Sequence, residues 1–354
     1  MEFIFEYGLF LAQAVTIVAA ILIVAVGLFS LGGKQKSDSE GQIEIHHVNE
    51  KYKRIGEVIQ FTVSDEATQK ADRKTKKKTD KEKSKAEKKA AKSTADVSQE
   101  DQRRRLYVLD FDGDVHASAT DNLREEISAV LPQIREGDEI LLKLESPGGL
   151  VHGYGLAASQ LQRIADAKVP LTIAVDKVAA SGGYMMACVG STIVAAPFAV
   201  LGSIGVIAQI PNFHRLLKKH DVDIELLTAG EYKRTLTTLG ENTEKGRKKF
   251  VEELEDTHAL FKDFVGENRP MLDVAKVSTG EVWYGRKAID VGLIDKLQTS
   301  DAFVQERLAD QDVYEVKFEV KKSVMEKFGF SAQHAMETAL TRSLDRLMKM
   351  RYFS

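Results

Sequence analysis

Residues 139–149 read EILLKLESPGG, an almost unbroken apolar strand that stops at a Ser-Pro-Gly-Gly turn. After it, Leu156, Ala157, Leu161 and Ile164 have the spacing of one helix face. The same unit recurs on both sides. RLYVLDF (105–111) reads as a strand, and Leu123, Ile127, Val130, Leu131 and Ile134 follow at steps of 4, 3, 1 and 3, again one face of a helix. VPLTIAVD (169–176) and STIVAA (191–196) read as further strands, and DIELL (223–227) as a short one. Strands alternating with helical segments require crossover connections, so the sheet is expected to be mostly parallel and the domain α/β. Residues 242–267 form a long amphipathic helix through Phe250, Val251, Leu254, Phe261 and Phe264. No tandem repeat of solenoid period is present.

The 354 residues are 43% hydrophobic and 29% charged, with 25 glycines, 6 prolines and one cysteine, which excludes collagen-like, disulfide-stapled and wholly disordered chains. Cys188 alone can form neither an internal disulfide nor a four-cysteine metal site. The net charge of −3 hides a sharp segregation. Residues 8–31 are 24 positions without a charge, long enough as a helix to cross ~30 Å of hydrocarbon. The acidic leader at 1–7 and the absence of a small-x-small exit mark a retained transmembrane anchor, not a cleaved signal peptide. Lys34, Lys36 and a lysine-rich run follow the span, so positive-inside counting puts the C-terminal bulk in the cytoplasm.

That run, residues 70–92, holds twelve Lys/Arg against four acids, a charge of +8 that leaves −11 for the rest. It carries no apolar residue able to build a core, so 32–102 is expected to be a tether, largely disordered or helical. A solvated linker and contact with anionic lipid headgroups are its two readings. No aromatic is interleaved for bases to stack on, and nucleic acid is not expected as a partner. The folded domain is expected over 103–320. Segment 321–354 is expected to be an amphipathic helical extension, with Leu340, Leu344, Leu347 and Met348 on one face.

Three glycine-marked turns follow apolar runs: ESPGG (145–149), AASGG (179–183) and GSIGV (202–206). Parallel α/β sheets place ligands and catalysts at the carboxyl ends of their strands. Ser181 stands where GGYMMACVG opens a helix, whose free N–H groups favour developing negative charge. A nucleophilic serine needs that setting and a base, whereas an ordinary N-cap serine needs only the helix. Position 179 is alanine, so the G-x-S-x-G elbow of α/β-hydrolases is absent. For the base, His116, His152, His214, His220 and His258 have no diagnostic surroundings; His152 follows SPGG closely, and His258 falls on the apolar face of the long helix. Lys233, in GEYKRT (230–235), would have to be desolvated to be neutral near pH ~7. The residues alone leave a histidine triad and a serine–lysine pair both open.

LESPGG (144–149), VDKVAASGGYMMA (175–187), GSIGV, AGEYKRTLT (229–237) and GEVWYGRKAIDVGLID (280–295) resemble, in order and spacing, the signal peptide peptidase A family of serine peptidases, in its membrane-anchored SohB-type branch. The resemblance covers essentially the whole chain. It implies a crotonase/ClpP-like α/β fold of repeated strand–helix units and a Ser–Lys dyad. Ser181 would be the nucleophile, Lys233 the general base and Ser203 the hydroxyl that orients the lysine. The backbone N–H groups of Gly149 and Gly182 would form the oxyanion hole. It implies no metal and no organic cofactor, a homo-oligomer, and a bacterial inner-membrane enzyme cleaving signal-peptide remnants or other membrane-associated peptides. Family analogy sets the catalytic domain on the periplasmic side, against the positive-inside count. A crotonase-type acyl-CoA enzyme shares the implied fold but needs no Ser–Lys pair, and a non-catalytic membrane scaffold would need neither residue.

Overall fold

The computed structural model describes residues 41–65 and 103–319, together with Thr16. Seven strands make the main sheet: β1 (Gln42–His47), β2 (Arg104–Asp112), β3 (Glu139–Glu145), β4 (Leu171–Val175), β6 (Thr192–Ala195), β9 (Lys296–Leu297) and β10 (Gln311–Glu319). Their order is β1-β10-β2-β3-β4-β6-β9, and the pairs from β10 through to β9 are parallel. A second sheet of three contains β5 (Val178–Ala180), β7 (Val200–Gly202) and β8 (Val282–Tyr284). The expected strands over 105–111, 139–145, 169–176 and 191–196 are all present, each within two residues of its expected ends.

The helices include α1 (Val48–Val63), α2 (Thr120–Val130), α3 (Val151–Asp166), α4 (Gly182–Ala187), α5 (Glu244–Asn268) and α6 (Ser300–Arg307). The crossover helices α2 and α3 bury Leu123, Ile127, Ala157, Leu161 and Ile164 against Leu109, Ile140, Leu142 and Ile173. The opposite sheet face buries Leu106, Val108, Leu141, Val194 and Val313 with Phe303 and Val304 of α6. Cover on both faces is why these strands read as continuous apolar runs and not as alternating ones. Each fully buried Leu, Ile or Val stabilises the fold by about 1.5–3 kcal/mol. Two details differ from the periodicity. Leu156 is 47% exposed, because Tyr154, Ala157 and Ala158 take the inner face of α3. On α5 only Phe261 and Val265 are buried, and Val251 stands exposed.

The tether expected over 32–102 is interrupted. Residues 42–47 form the edge strand beside β10, and α1 follows directly. His47 stacks on Tyr314 with ring centroids 4.8 Å apart, Asn49 donates to the Gln311 carbonyl (2.9 Å), and its side-chain oxygen accepts from Val313 N–H (2.7 Å). An edge strand with only Ile43 and Ile45 as apolar residues carries too little periodicity to be read in advance. DIELL is not a strand: no helix or strand occurs between residues 221 and 243, and Ile224, Leu226 and Leu227 are exposed. The anchor at 8–31, the basic run at 70–92 and the extension at 321–354 lie outside the described residues. Among the described residues no helix is long and apolar enough to cross a membrane.

Glu126 of α2 is buried, with one carboxylate oxygen accepting from Phe318 N–H (2.9 Å) and the other unpartnered among the described residues. Burial, with Asp110 adding to it against Lys317, pushes its pKa up to about 7. The native state therefore holds a proton that the unfolded chain releases near the ordinary glutamate value, and stability falls as pH rises from about 4.5 to about 7. Compared with Glu126→Gln, the natural protein should lose melting temperature between about pH 5 and about pH 8. Parallel melting curves of the two proteins across that range would contradict this assignment.

Candidate active site

Strands β5 and β7 run parallel with Ala180 opposite Gly202. Ser181 and Ser203 are the next residues, so they leave neighbouring strands at one level, about 4.8 Å apart in strand spacing. The chain reaches this second sheet by leaving β4 after Val175 and starting β5 at Val178, which the sequence reads as one continuous strand and turn. The Ser146–Ala179 bridge adds the third turn, with Ser146 N–H donating to Val178 O (2.8 Å) and Ala180 N–H to Ser146 O (3.0 Å). All three glycine-marked turns thus converge on one short sheet.

Both serines adopt left-handed backbone, Ser181 at φ 53° and ψ −118°, Ser203 at φ 50°. The Ser181 pair of angles is that of the first central position of a type II′ turn, which belongs to glycine. A β-carbon there costs about 1–3 kcal/mol, and the surroundings must over-determine it. Ser181 N–H donates to Gly202 O (2.8 Å), Ser181 O accepts from Met185 N–H (3.0 Å), and Ser203 N–H donates to Glu281 O (2.7 Å). Gly148 has φ 89°, and a β-carbon on it would come within 2.7 Å of Ala180 O and 2.8 Å of Gly182 N. The two turns therefore pack backbone against backbone, and only glycine allows it.

Gly149, Ser181 and Gly182 line a cleft of about 90 Å³ whose remaining wall includes Val151, Met185, Val206 and Phe261. Gly149 N–H has no acceptor among the described residues, and Gly182 N–H opens α4, where no intrahelical acceptor exists. A hydroxyl beside two free amide donors in an apolar cleft can carry acyl transfer, because charge developing on a substrate oxygen meets donors already in place. Phe261 was legible as part of the apolar face of α5, but its place in the cleft was not.

Lys233 is not among the residues that line this cleft. It follows Gly230 (φ 100°) in the 221–243 stretch, is exposed, and forms no hydrogen bond to Ser181 or Ser203 within the chain. Ile207 and Leu227, in the same part of the chain, are 85% and 90% exposed. Among the described residues no histidine lines the cleft: His116, His152 and His220 are exposed, and His258 is half-buried on α5 with Nε2 unpartnered. Cys188 is buried, which pushes its thiol up to about 12 and removes it as a nucleophile. Among the described residues no cluster of metal-ligating side chains occurs.

Residues 2–161 match Peptidase family S49 N-terminal, and residues 163–314 match Peptidase family S49. "Probable protease SohB" of Haemophilus influenzae is 51% identical over 93% of this chain and 93% of its own length. The protein of the same description from Buchnera aphidicola subsp. Acyrthosiphon pisum is 44% identical over 97% of this chain and 98% of its own. A solved 1510-N membrane-bound stomatin-specific protease, a point mutant in complex with a substrate peptide, is 13% identical and covers 64% of this chain and 96% of its own. It superposes with a TM-score of 0.39, a likeness too slight to argue from. The class is that of serine-type peptidases. The chain belongs to peptidase family S49.

Strain at Ser181 has a direct test. Ser181→Gly removes the β-carbon from the II′ position, whereas Ser181→Ala keeps it. The glycine variant should be the more stable by about 1 kcal/mol, or about 2–4 °C in melting temperature. Equal or lower stability of the glycine variant would show the turn to be unstrained.

Proposed function

We propose that this S49 peptidase is a membrane-anchored endopeptidase of crotonase/ClpP-like fold that hydrolyses peptide bonds through a Ser181 acyl-enzyme, with Lys233 as general base. The observation that carries the reading is Ser181 held on a strained turn beside the free N–H groups of Gly149 and Gly182. Ser181 Oγ attacks the peptide carbonyl as neutral Lys233 takes its proton. The two N–H groups hold the oxyanion, and loss of either lowers the rate by about 10²–10³. The lysine then protonates the leaving amine, and water resolves the acyl-enzyme with the same base. The small apolar cleft suits a small apolar side chain before the scissile bond. The chemistry uses no metal and no organic cofactor.

Ser203 supports Lys233 in this scheme, since the strand register sets it beside Ser181 at the level where the lysine amine must enter. The base comes from a neighbouring copy: Lys233 is exposed in the single chain, and the apolar residues around it lack cover. A homo-oligomer supplies both the base and the desolvation that neutralises it. Ser181→Ala, Lys233→Ala and Lys233→Arg should each abolish hydrolysis of an unfolded protein such as casein, Ser203→Ala should lower it, and His152→Ala should retain at least about a tenth. Mixed and reassembled Ser181→Ala and Lys233→Ala chains should regain up to about a quarter of the activity, because some sites receive one intact residue from each chain. No recovery in demonstrably mixed oligomers would place the dyad within one chain. Turnover by Lys233→Ala with an inactive His152→Ala would replace the lysine altogether.

The anchor at 8–31 keeps the enzyme at the bacterial inner membrane. The full-length chain should remain in the membrane pellet through an alkaline carbonate wash with its N-terminus intact. Release into the supernatant would remove the anchor from the reading.

A further inference from the structure

Directly beneath the cleft lies a directed chain of hydrogen bonds. The Tyr154 hydroxyl donates to the Asp114 carbonyl (2.7 Å), which can only accept, so the single phenolic proton is committed there. Ser146 Oγ, 2.5 Å from the Tyr154 oxygen, must then be the donor to it. The Ser146 oxygen in turn accepts from Gly148 N–H (3.1 Å). Both side chains are fully buried, at 0% exposure, so each group depends on its neighbour and none has water as a substitute. Burial also pushes the Tyr154 phenol above its ordinary value, which keeps the proton in place. The chain of bonds ends one residue before Gly149, which lines the cleft and whose N–H has no acceptor among the described residues.

The ring of the same tyrosine reaches the other donor. A β-carbon on Gly182 would overlap Tyr154 Cγ, so the ring lies directly under the Gly182 backbone. Phe111 meets that ring edge-on with centroids 6.4 Å apart and holds its plane. Leu150 N–H donates to Val115 O (2.8 Å) and Tyr154 N–H to Leu150 O (3.1 Å), closing the turn from its far side. One side chain thus supports both of the glycines, Gly149 and Gly182, that line the cleft.

We infer that Tyr154 is a positioning residue for the oxyanion hole: its ring seats Gly182, and its hydroxyl, relayed by Ser146, orients the turn that presents Gly149 N–H. This rests on the reading of Ser181, Gly149 and Gly182 given above. A tyrosine that merely filled the core would contribute to stability and not to the rate, and the hydroxyl separates the two roles because Tyr154→Phe keeps the ring.

In the full-length chain, Tyr154→Phe should lower kcat by roughly ten- to a hundred-fold with KM within about two-fold, since about 1 Å of misplacement costs that much. Ser146→Ala should do the same, and the double variant should be no worse than the more damaged single one, because both interrupt one relay. Binding of a peptide aldehyde, which forms an oxyanion on Ser181, should weaken in parallel with kcat/KM. The affinity of an uncleaved peptide for Ser181→Ala should not change when Tyr154→Phe is added. A lower melting temperature with unchanged kcat, additive losses in the double variant, or equal weakening of aldehyde and peptide would each overturn the proposal. If Tyr154→Phe does not fold, the smaller Ser146→Ala decides by the same measurements. Failure of the underlying reading looks different: Ser181→Ala would retain turnover, or the aldehyde would not bind the natural protein at all.

Discussion

Ala180 faces Gly202 across two parallel strands, and everything at the site depends on that pairing. Each strand is three residues long and continues into a serine with positive φ. Neither turn would hold by itself, because left-handed backbone at a residue with a β-carbon is unfavourable and three-residue strands contribute few hydrogen bonds. Together they lock each other: Ser181 N–H bonds to the partner strand at Gly202, while Ser203 N–H bonds to Glu281 just ahead of β8. Strain at two residues is thereby distributed over a small sheet. That sheet is held in turn by the Ser146–Ala179 bridge to the end of β3.

The main sheet keeps this arrangement from relaxing. β2, β3 and β4 are buried on both faces, and β3 runs straight into the Ser146 turn. Tyr184 of α4 donates to Leu293 O (2.9 Å), so the helix opened by Gly182 is tied to a segment more than a hundred residues away in sequence. Arg269 grips Asp295 with two hydrogen bonds (2.9 and 2.8 Å), and the same carboxylate accepts from Ile193 N–H (2.7 Å), which joins the end of α5 to β6. Phe261, on α5, therefore borders the cleft from a well-anchored helix and not from a loop.

Much of this was legible in the sequence, and the boundary is physical. Runs such as EILLKLE announce themselves because burial on both faces leaves no polar alternation to interrupt them. Glycine pairs marked the three turns because backbone packs on backbone there. The strain at Ser181 left no trace, since a serine reads the same at φ 53° as at a helix cap. The edge strand at 42–47 escaped because its stability comes from Asn49 and His47 contacts with β10, more than 260 residues on, and not from its own pattern. DIELL failed in the opposite sense. Its apolar residues suggested a strand, but a strand needs a neighbour, and none is supplied within the described chain.

In the proposed assembly, that failure and the exposure of Lys233 share one cause. The chain from 206 to 243 is rich in apolar residues yet largely exposed, with Ile207, Leu227 and Tyr232 among those left uncovered. A sequence selected for life as a single chain would either bury such residues or replace them with polar ones. A base for Ser181 must also be desolvated, because lysine in water remains protonated near pH ~7. Uncovered apolar surface and an exposed lysine are complementary deficits, and in the proposed assembly one contact with a second copy of the chain would remove both. In the mechanism proposed above, assembly would therefore bring Lys233 to Ser181 and desolvate it in one step, and an isolated chain would hold the nucleophile without its base.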